Sequence, residues 1–306
     1  MRLPQRGVIE RMSWKKRKKW VIPLAILLVL AVFFYCQINW IKTSKYTVTS
    51  AEIPQSMNGY KILLLSDLHS KRFGPSNNWL LRRIRRENPD IIVATGDMLN
   101  STNDDGAVFL QLAQDLKGEF PIYYIDGNHE RIWQNLNGAE AFEDYVNRLQ
   151  EAGVTYIKNQ SITLWEGEQP VTLSGVSVPL MYYRDAKTAE LEPEKVFDQD
   201  RIASLLGQAD EGYHIFLAHT PQYFPYYAEW GADLVLCGHM HGGIVYIPFV
   251  GGLLSPEKTF FPKYYRGLYR EKESNMIVSA GLGNNTVPFR LLNRPEICVI
   301  TLEAAS

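Results

Sequence analysis

Five short apolar runs in this chain each stop at a compact block of Asp, Asn, Gly or His residues. Runs of this length suit buried strands, and the polar block marks where each leaves its sheet. The most telling is Leu234-Val235-Leu236-Cys237, followed by Gly238-His239-Met240-His241. Side chains at i and i+2 of an extended backbone project to the same side, so His239 and His241 can reach one small volume. In open α/β sheets, ligands bind at the carboxyl edge of the strands. The other four runs end in Asp67-Leu68-His69, Gly96-Asp97, Gly127-Asn128-His129-Glu130 and His219.

The first three runs, 61–66, 90–95 and 122–125, alternate with amphipathic stretches over 76–88, 106–117 and 138–152. That alternation predicts right-handed crossovers and a largely parallel sheet. Beyond residue 153 the pattern changes. Short strand-like pieces at 154–157, 162–165 and 171–178 predict a second sheet with antiparallel pairing. A helix over 193–208, a strand over 213–218, a short helix over 222–230 and final strands at 276–280 and 297–302 complete the body. A glycine- and aromatic-rich loop spans 242–266. Two mixed sheets with helices outside each predict an α/β fold, a four-layer α-β-β-α sandwich.

Ahead of the body, Val21 to Ile41 carries no charge and is apolar without a break as far as Cys36. About 20 such residues span a bilayer core as a helix. Trp20 and Trp40 bracket the run, and Lys15 to Lys19 precede it. The positive-inside rule then keeps residues 1–20 in the cytoplasm and places the body outside, on a single-pass membrane anchor over 21–41. Cleavage as a signal peptide is the alternative; Thr49-Ser50-Ala51 is a poor site for it. Residues 42–57 read as a tether, and 58–303 as the folded body. Residues 1–20 hold eight Lys/Arg against one Glu, which leaves 24 basic and 32 acidic residues in the rest, a net −8. An acidic body argues against binding nucleic acid through phosphates. Three cysteines without a C-x-x-C argue against a thiolate zinc site.

Five of the six histidines fall in the strand-end blocks; His214 sits inside a strand and reads as core. Imidazoles, two carboxylates and an amide oxygen suit borderline divalent ions such as zinc, manganese or iron. So many ligands exceed the needs of one ion and fit two that share a carboxylate.

D-x-H, G-D, G-N-H-[DE], a lone His after a strand, and G-H-x-H, in this order, resemble the calcineurin-like metallophosphoesterase superfamily. The resemblance covers about residues 58–303. Gly281-Leu282-Gly283 through Arg290, with Asn293-Arg294-Pro295-Glu296-Ile297, looks like its membrane-associated bacterial phosphodiesterase branch. The resemblance implies two divalent ions, one held by Asp67, His69 and His241, the other by Asn128, His219 and His239, with Asp97 bridging. It implies hydrolysis of a phosphate ester, a phosphodiester in that branch, by hydroxide formed between the ions, with His129 facing the leaving group. Envelope substrates are implied too, such as a nucleotide-diphospho-lipid precursor or a glycerophospholipid.

One position departs from the family pattern. Many relatives read G-D-x-x-D, whose second aspartate orients the catalytic histidine; here the fifth residue is Asn100. Its amide oxygen can accept a ring N–H but brings no charge, so Glu130, Asp104 or Asp105 are candidate substitutes. Arg72 is a candidate phosphate-binding residue, or a solvated cation. Aromatics at 223–230 and 246–265 line an apolar groove or graze the bilayer on one reading, and pack the core on the other. A non-catalytic, metal-loaded sensor or scaffold is the alternative function. A zinc peptidase is excluded because His129-Glu130 lacks the second histidine of H-E-x-x-H. A metallo-β-lactamase-like hydrolase is excluded because His239-Met240-His241 continues as Gly242-Gly243.

Overall fold

The computed structural model describes residues 14–165, 169–184, 188, 192, 194–284 and 289–305. The chain enters through helix α1 (Trp14–Asn39), which includes a segment from Lys19 to Asn39 long and apolar enough to cross a membrane, almost none of it buried. Residues 1–13, the larger part of the basic segment, lie outside the described residues.

One sheet contains β1 (Lys42–Ser50), β2 (Lys61–Leu65), β3 (Ile91–Thr95), β4 (Ile122–Ile125), β5 (Val154–Tyr156) and β14 (Glu296–Ala304), in the order β1-β14-β2-β3-β4-β5. From β2 to β5 it is parallel, joined by helices α2 (Asn78–Glu87), α3 (Ala107–Leu116), α4 (Asn128–Asn137) and α5 (Ala139–Glu151). The second sheet contains β6 (Gln160–Trp165), β7 (Val171–Gly175), β8 (Tyr213–Leu217), β9 (Leu234–Cys237), β12 (Gly267–Glu271) and β13 (Ser274–Val278). Its order is β12-β13-β9-β8-β7-β6, with α6 (Gln199–Leu206) and α7 (Phe224–Trp230) on its outer face. A two-stranded ribbon, β10 (Tyr246–Ile247) and β11 (Gly251–Gly252), lies in the long loop.

Period-two alternation sorts the side chains into layers. Ile62 and Leu64 of β2 pack into the cluster between the sheets, together with Ile215, Leu217, Leu234 and Leu236 of the facing sheet. Leu63 and Leu65 turn outward to Leu80, Ile84 and Phe109 under the helices. Phe216, Val235 and Cys237 do the same on the other side, against Tyr227 and Trp230. The architecture is the expected four-layer sandwich of two mixed sheets.

Two expectations need correction. Residues 42–50 are not a tether: β1 pairs in parallel with β14 over nine positions, from Lys42↔Glu296 to Ser50↔Ala304. The segment KTSKYTVTS is polar on one face because it is an edge strand, and exposed lysine is typical there. Val154–Tyr156 belongs to the first sheet, parallel to β4; of the three expected pieces, two, β6 and β7, pair antiparallel in the second. The block Gly127-Asn128-His129-Glu130 starts α4, a helix the periodicity did not show, whose N-cap Gly127 is closed by the Glu130 carboxylate. Only Asp126 and Gly127 separate the strand from the helix.

Candidate active site

Strands β2, β3 and β4 are neighbours in one sheet, and β8 and β9 in the other, so their carboxyl ends meet at one edge of the sandwich. The loop after β2 continues to pair with the loop after β3: His69 N–H donates to Asp97 C=O at 3.0 Å. The backbone N–H of His239, after β9, donates to the Asp67 carboxylate at 3.0 and 3.1 Å. Asp67, His69, Asp97, His239 and His241 all have φ between 46° and 69°. Asp, Asn and His tolerate this left-handed region best among residues with side chains, and such strain collects at functional sites. Two glycines permit the close approach. A Cβ on Gly96 (φ 88°) would lie 2.6 Å from the Gly127 nitrogen, and one on Gly238 would overlap Ser66 and Asp67.

The polar tips converge. Asp67, His69 and His241 form one group whose ligand atoms lie within 4.8 Å of one another; Asp97, His219 and His239 form a second; His69, Asp97 and His129 form a third. Asp97 Oδ2 is the common point, 3.1 Å from His219 Nε2, 3.8 Å from His69 Nε2 and 4.0 Å from His129 Nε2. Asp97 Oδ1 accepts the backbone N–H of His129 at 2.8 Å.

The fit to a cation can be tested on these distances. His69 Nε2 and His241 Nε2 face each other at 3.2 Å in a fully buried setting. Tetrahedral zinc with Zn–N of 2.0–2.1 Å sets its ligand atoms roughly 3.3 Å apart. Burial pushes His69 down to about 3, and burial with the neighbouring His69 pushes His241 down as well, so both rings are neutral. Neutral imidazole is the ligating form. The Nδ1 of His219 donates to Thr95 C=O at 2.5 Å, which leaves Nε2 aimed at the carboxylates. A backbone carbonyl holding the far nitrogen is the usual support of a metal-binding histidine. Asn128 Oδ1 and His239 Nδ1 are buried without a hydrogen-bond partner among the described residues. The residues present therefore fit divalent ions.

Without a cation, the two carboxylates need another counter-charge. Burial opposes charge on His219, but Asp97 and Asp67 outweigh it and hold the imidazolium up to about 10. Burial and the Asp97 charge raise Asp67. Burial opposes charge on Asp97 too, but the His219 imidazolium beside it overcomes this and keeps that carboxyl well below the usual range.

Asn100 does not orient His129. Its amide donates to His69 C=O at 3.0 Å and to Asp104 at 3.2 Å, while the backbone N–H of Ser101 donates to His129 Nδ1 at 3.1 Å. An accepting Nδ1 puts the ring proton on Nε2, toward Asp97. The backbone thus fixes the tautomer opposite to the one an accepting aspartate would fix, with the donor on Nε2. Glu130 is no substitute either: its carboxylate accepts the N–H groups of Gly127, Asp97 and Met98 at 2.9, 2.8 and 2.7 Å. Asp104 caps Asn100 and Gly106, and Asp105 accepts from Ala107. Arg72 is exposed and is not among the residues that line the cleft over His129 and His239.

That cleft has a volume of about 550 Å³ and is lined by Asn128, His129, Tyr183, His239, Glu257 and Lys258, among others. Glu257 escaped the sequence reading. It is buried, and one carboxylate oxygen bonds His239 Nε2. It sits mid-loop, away from any strand end; the only signal was a loop too long to be a mere connection. Arg290 and Asn293 were visible only as a motif. Arg290 is buried and donates to Ala280 C=O at 2.8 Å and to Gly283 C=O; the Asn293 amide donates to His241 C=O at 2.6 Å. The segment from Ala280 to Glu296, of which 285–288 lie outside the described residues, braces both the Asp67 and the His241 loops.

The family model for calcineurin-like phosphoesterases matches residues 60–243, which include every candidate ligand. The chain belongs to that family. Among its relatives, this phosphoesterase is 26% identical to the metallophosphoesterase YkuE of Bacillus subtilis over 278 residues, 89% of each chain. It is 26% identical to phosphodiesterase YaeI of Escherichia coli, over 88% of this chain and 90% of the relative. A transmembrane protein with a metallophosphoesterase domain from Danio rerio is 27% identical over 93% of this chain and 63% of its own length. The enzyme class follows: a hydrolase of phosphoric ester bonds.

Proposed function

We propose that this phosphoesterase is a membrane-anchored phosphodiesterase that uses two divalent ions and works on the outer side of the membrane. The observation that carries the reading is two adjacent ligand groups, Asp67-His69-His241 and Asp97-His219-His239, with Asp97 Oδ2 3.8 Å from His69 Nε2 and unpartnered nitrogen and oxygen atoms buried among them. Asp67, His69 and His241 would hold one ion, and Asn128, His219 and His239 the other, with Asp97 between. When bound, the ions supply a water acidic enough to attack phosphorus at neutral pH and offset charge on the phosphoryl oxygens. The protein does the rest. Its loops hold the ligands in a strained, preformed arrangement, so little reorganisation is needed at the moment of reaction. His129, fixed by Ser101, presents Nε2–H to the departing oxygen. Glu257 holds His239 so that Nδ1 faces inward.

The name of YaeI supports the diester preference, and the Danio rerio relative supports the membrane reading. The exposed apolar surface of α1 supports an anchor, and Lys15 to Lys19 ahead of the apolar run support a body outside. An envelope or lipid-linked substrate fits a body held at the bilayer. The Asn100 departure, which favoured a non-catalytic scaffold, is offset because the Ser101 N–H still holds the His129 ring and leaves a donor on Nε2.

The test is hydrolysis of bis(4-nitrophenyl) phosphate against 4-nitrophenyl phosphate by the purified full chain with manganese. We expect preference for the diester and a loss of roughly 10²–10³-fold in His129→Ala, the usual range for one hydrogen-bond donor to a developing oxyanion. Equal rates in the variant would remove His129 from the reaction. Glu257→Gln is expected to weaken manganese binding roughly 10–100-fold, read by titration calorimetry, with an unchanged fold. Unaltered affinity would make Glu257 a packing residue only.

A further inference from the structure

We infer that the loop segments 246–261 and 289–292 form a membrane-contacting face that seats the cleft on the bilayer surface. The inference rests on α1 crossing that bilayer. The aromatics of the long loop and of α7 divide into two sets. Tyr223, Phe224, Tyr227, Trp230 and Tyr264 are buried and pack the core. Phe249 is fully exposed, Val250, Phe260 and Phe261 are more than half exposed, and Phe289 and Leu292 are also open to solvent. Six large apolar side chains grouped in this way are unusual on a soluble monomer and mark a surface that something covers.

Continuity with α1 names the occupant. Phe34 of α1 lies against Phe289, ring centroids 6.1 Å apart. Lys71, two residues beyond His69, donates to the Ile38 carbonyl at the end of α1. Arg294 lies over the Trp40 ring at 5.6 Å. The helix end is therefore fixed against the body. From Phe289 the apolar surface passes to the loop through the backbone: Tyr246 N–H donates to Leu291 C=O at 3.0 Å, and Val245 bridges to Leu291. Leu254 bridges to Phe260 within the loop. Cations border the face, with Arg266 over Tyr246 at 3.9 Å and Lys263 over Tyr264 at 4.8 Å. Aromatic and apolar tips with flanking Arg and Lys are the composition of a bilayer interface, where cations meet anionic headgroups.

The same loop carries Glu257 to His239 and Lys258 to the cleft. A face seated in the headgroup layer places the cleft where the phosphoester of an amphiphile lies, with its tail still in the bilayer.

The test uses the full chain in phosphatidylglycerol–phosphatidylethanolamine vesicles. Nitroxide labels are placed at Val29→Cys, Phe249→Cys, Phe260→Cys and Glu140→Cys in a Cys36→Ser background; Cys237 and Cys298 are buried. Retained hydrolysis of bis(4-nitrophenyl) phosphate confirms each fold. Labels at 29, 249 and 260 are expected to collide with oxygen and lose access to a soluble nickel chelate, with the reverse at 140. Labels at 249 and 260 as open to the chelate as 140, with 29 still shielded, would overturn the face and leave the anchor. Shielding of 249 and 260 from both reagents would assign the surface to a protein partner or second copy and overturn it too. An aqueous label at 29 would overturn both the face and the anchor beneath it.

Discussion

Asp97→Asn is expected to lower kcat/KM toward a chromogenic diester by roughly 10³-fold, about 4 kcal/mol of transition-state stabilisation. The reason lies in how the two oxygens are used. Oδ1 accepts the His129 backbone N–H, and an amide oxygen can keep that bond. Oδ2 faces three ring nitrogens, and there the lost charge and an added N–H donor cannot serve. The variant should therefore fold, bind fewer than two ions and turn over slowly. Wild-type rates with a full complement of metal would show that Asp97 is not shared between the ligand groups.

Glu130→Ala is expected to act on stability. It strands the buried N–H groups of Gly127, Asp97 and Met98, each worth about 1–3 kcal/mol when unsatisfied, so the sum is on the order of 4 kcal/mol. For a body of this size that lowers Tm by about 10 °C. A pH signature separates this role from catalysis. In the metal-free chain, burial and then the Asp97 charge push Glu130 up to about 7 from an ordinary 4.5. The folded state then holds the proton more tightly than the unfolded chain. That contribution is fully present below about 4.5 and is lost as pH rises through about 7. Metal-free Glu130→Gln should show a flatter fall in stability across that window in urea titrations. Identical pH profiles would contradict the assignment.

The strand-end blocks were legible because three chemical requirements coincide there: an apolar run, a backbone break and a ligating side chain. The layers were legible because Leu63 and Leu64 must face opposite ways in any strand. What stayed hidden depended on contacts distant in sequence. Glu257 reaches His239 across a loop that carries no periodicity, and the N–H that fixes His129 belongs to Ser101, a bond no side-chain pattern encodes. Strand β1 was obscured by its polar, exposed face, which only its pairing with β14 explains. Asn100 misled because the family pattern assigns the contact with His129 to a side-chain acceptor, and here a backbone N–H donates to the ring instead.

Anomalous scattering from crystals of the full chain grown with manganese tests the central claim most directly. The account predicts two peaks per chain, one among Asp67, His69 and His241 and the other among Asn128, His219 and His239, with Asp97 touching both. A single peak, or manganese held away from Asp97, would contradict it.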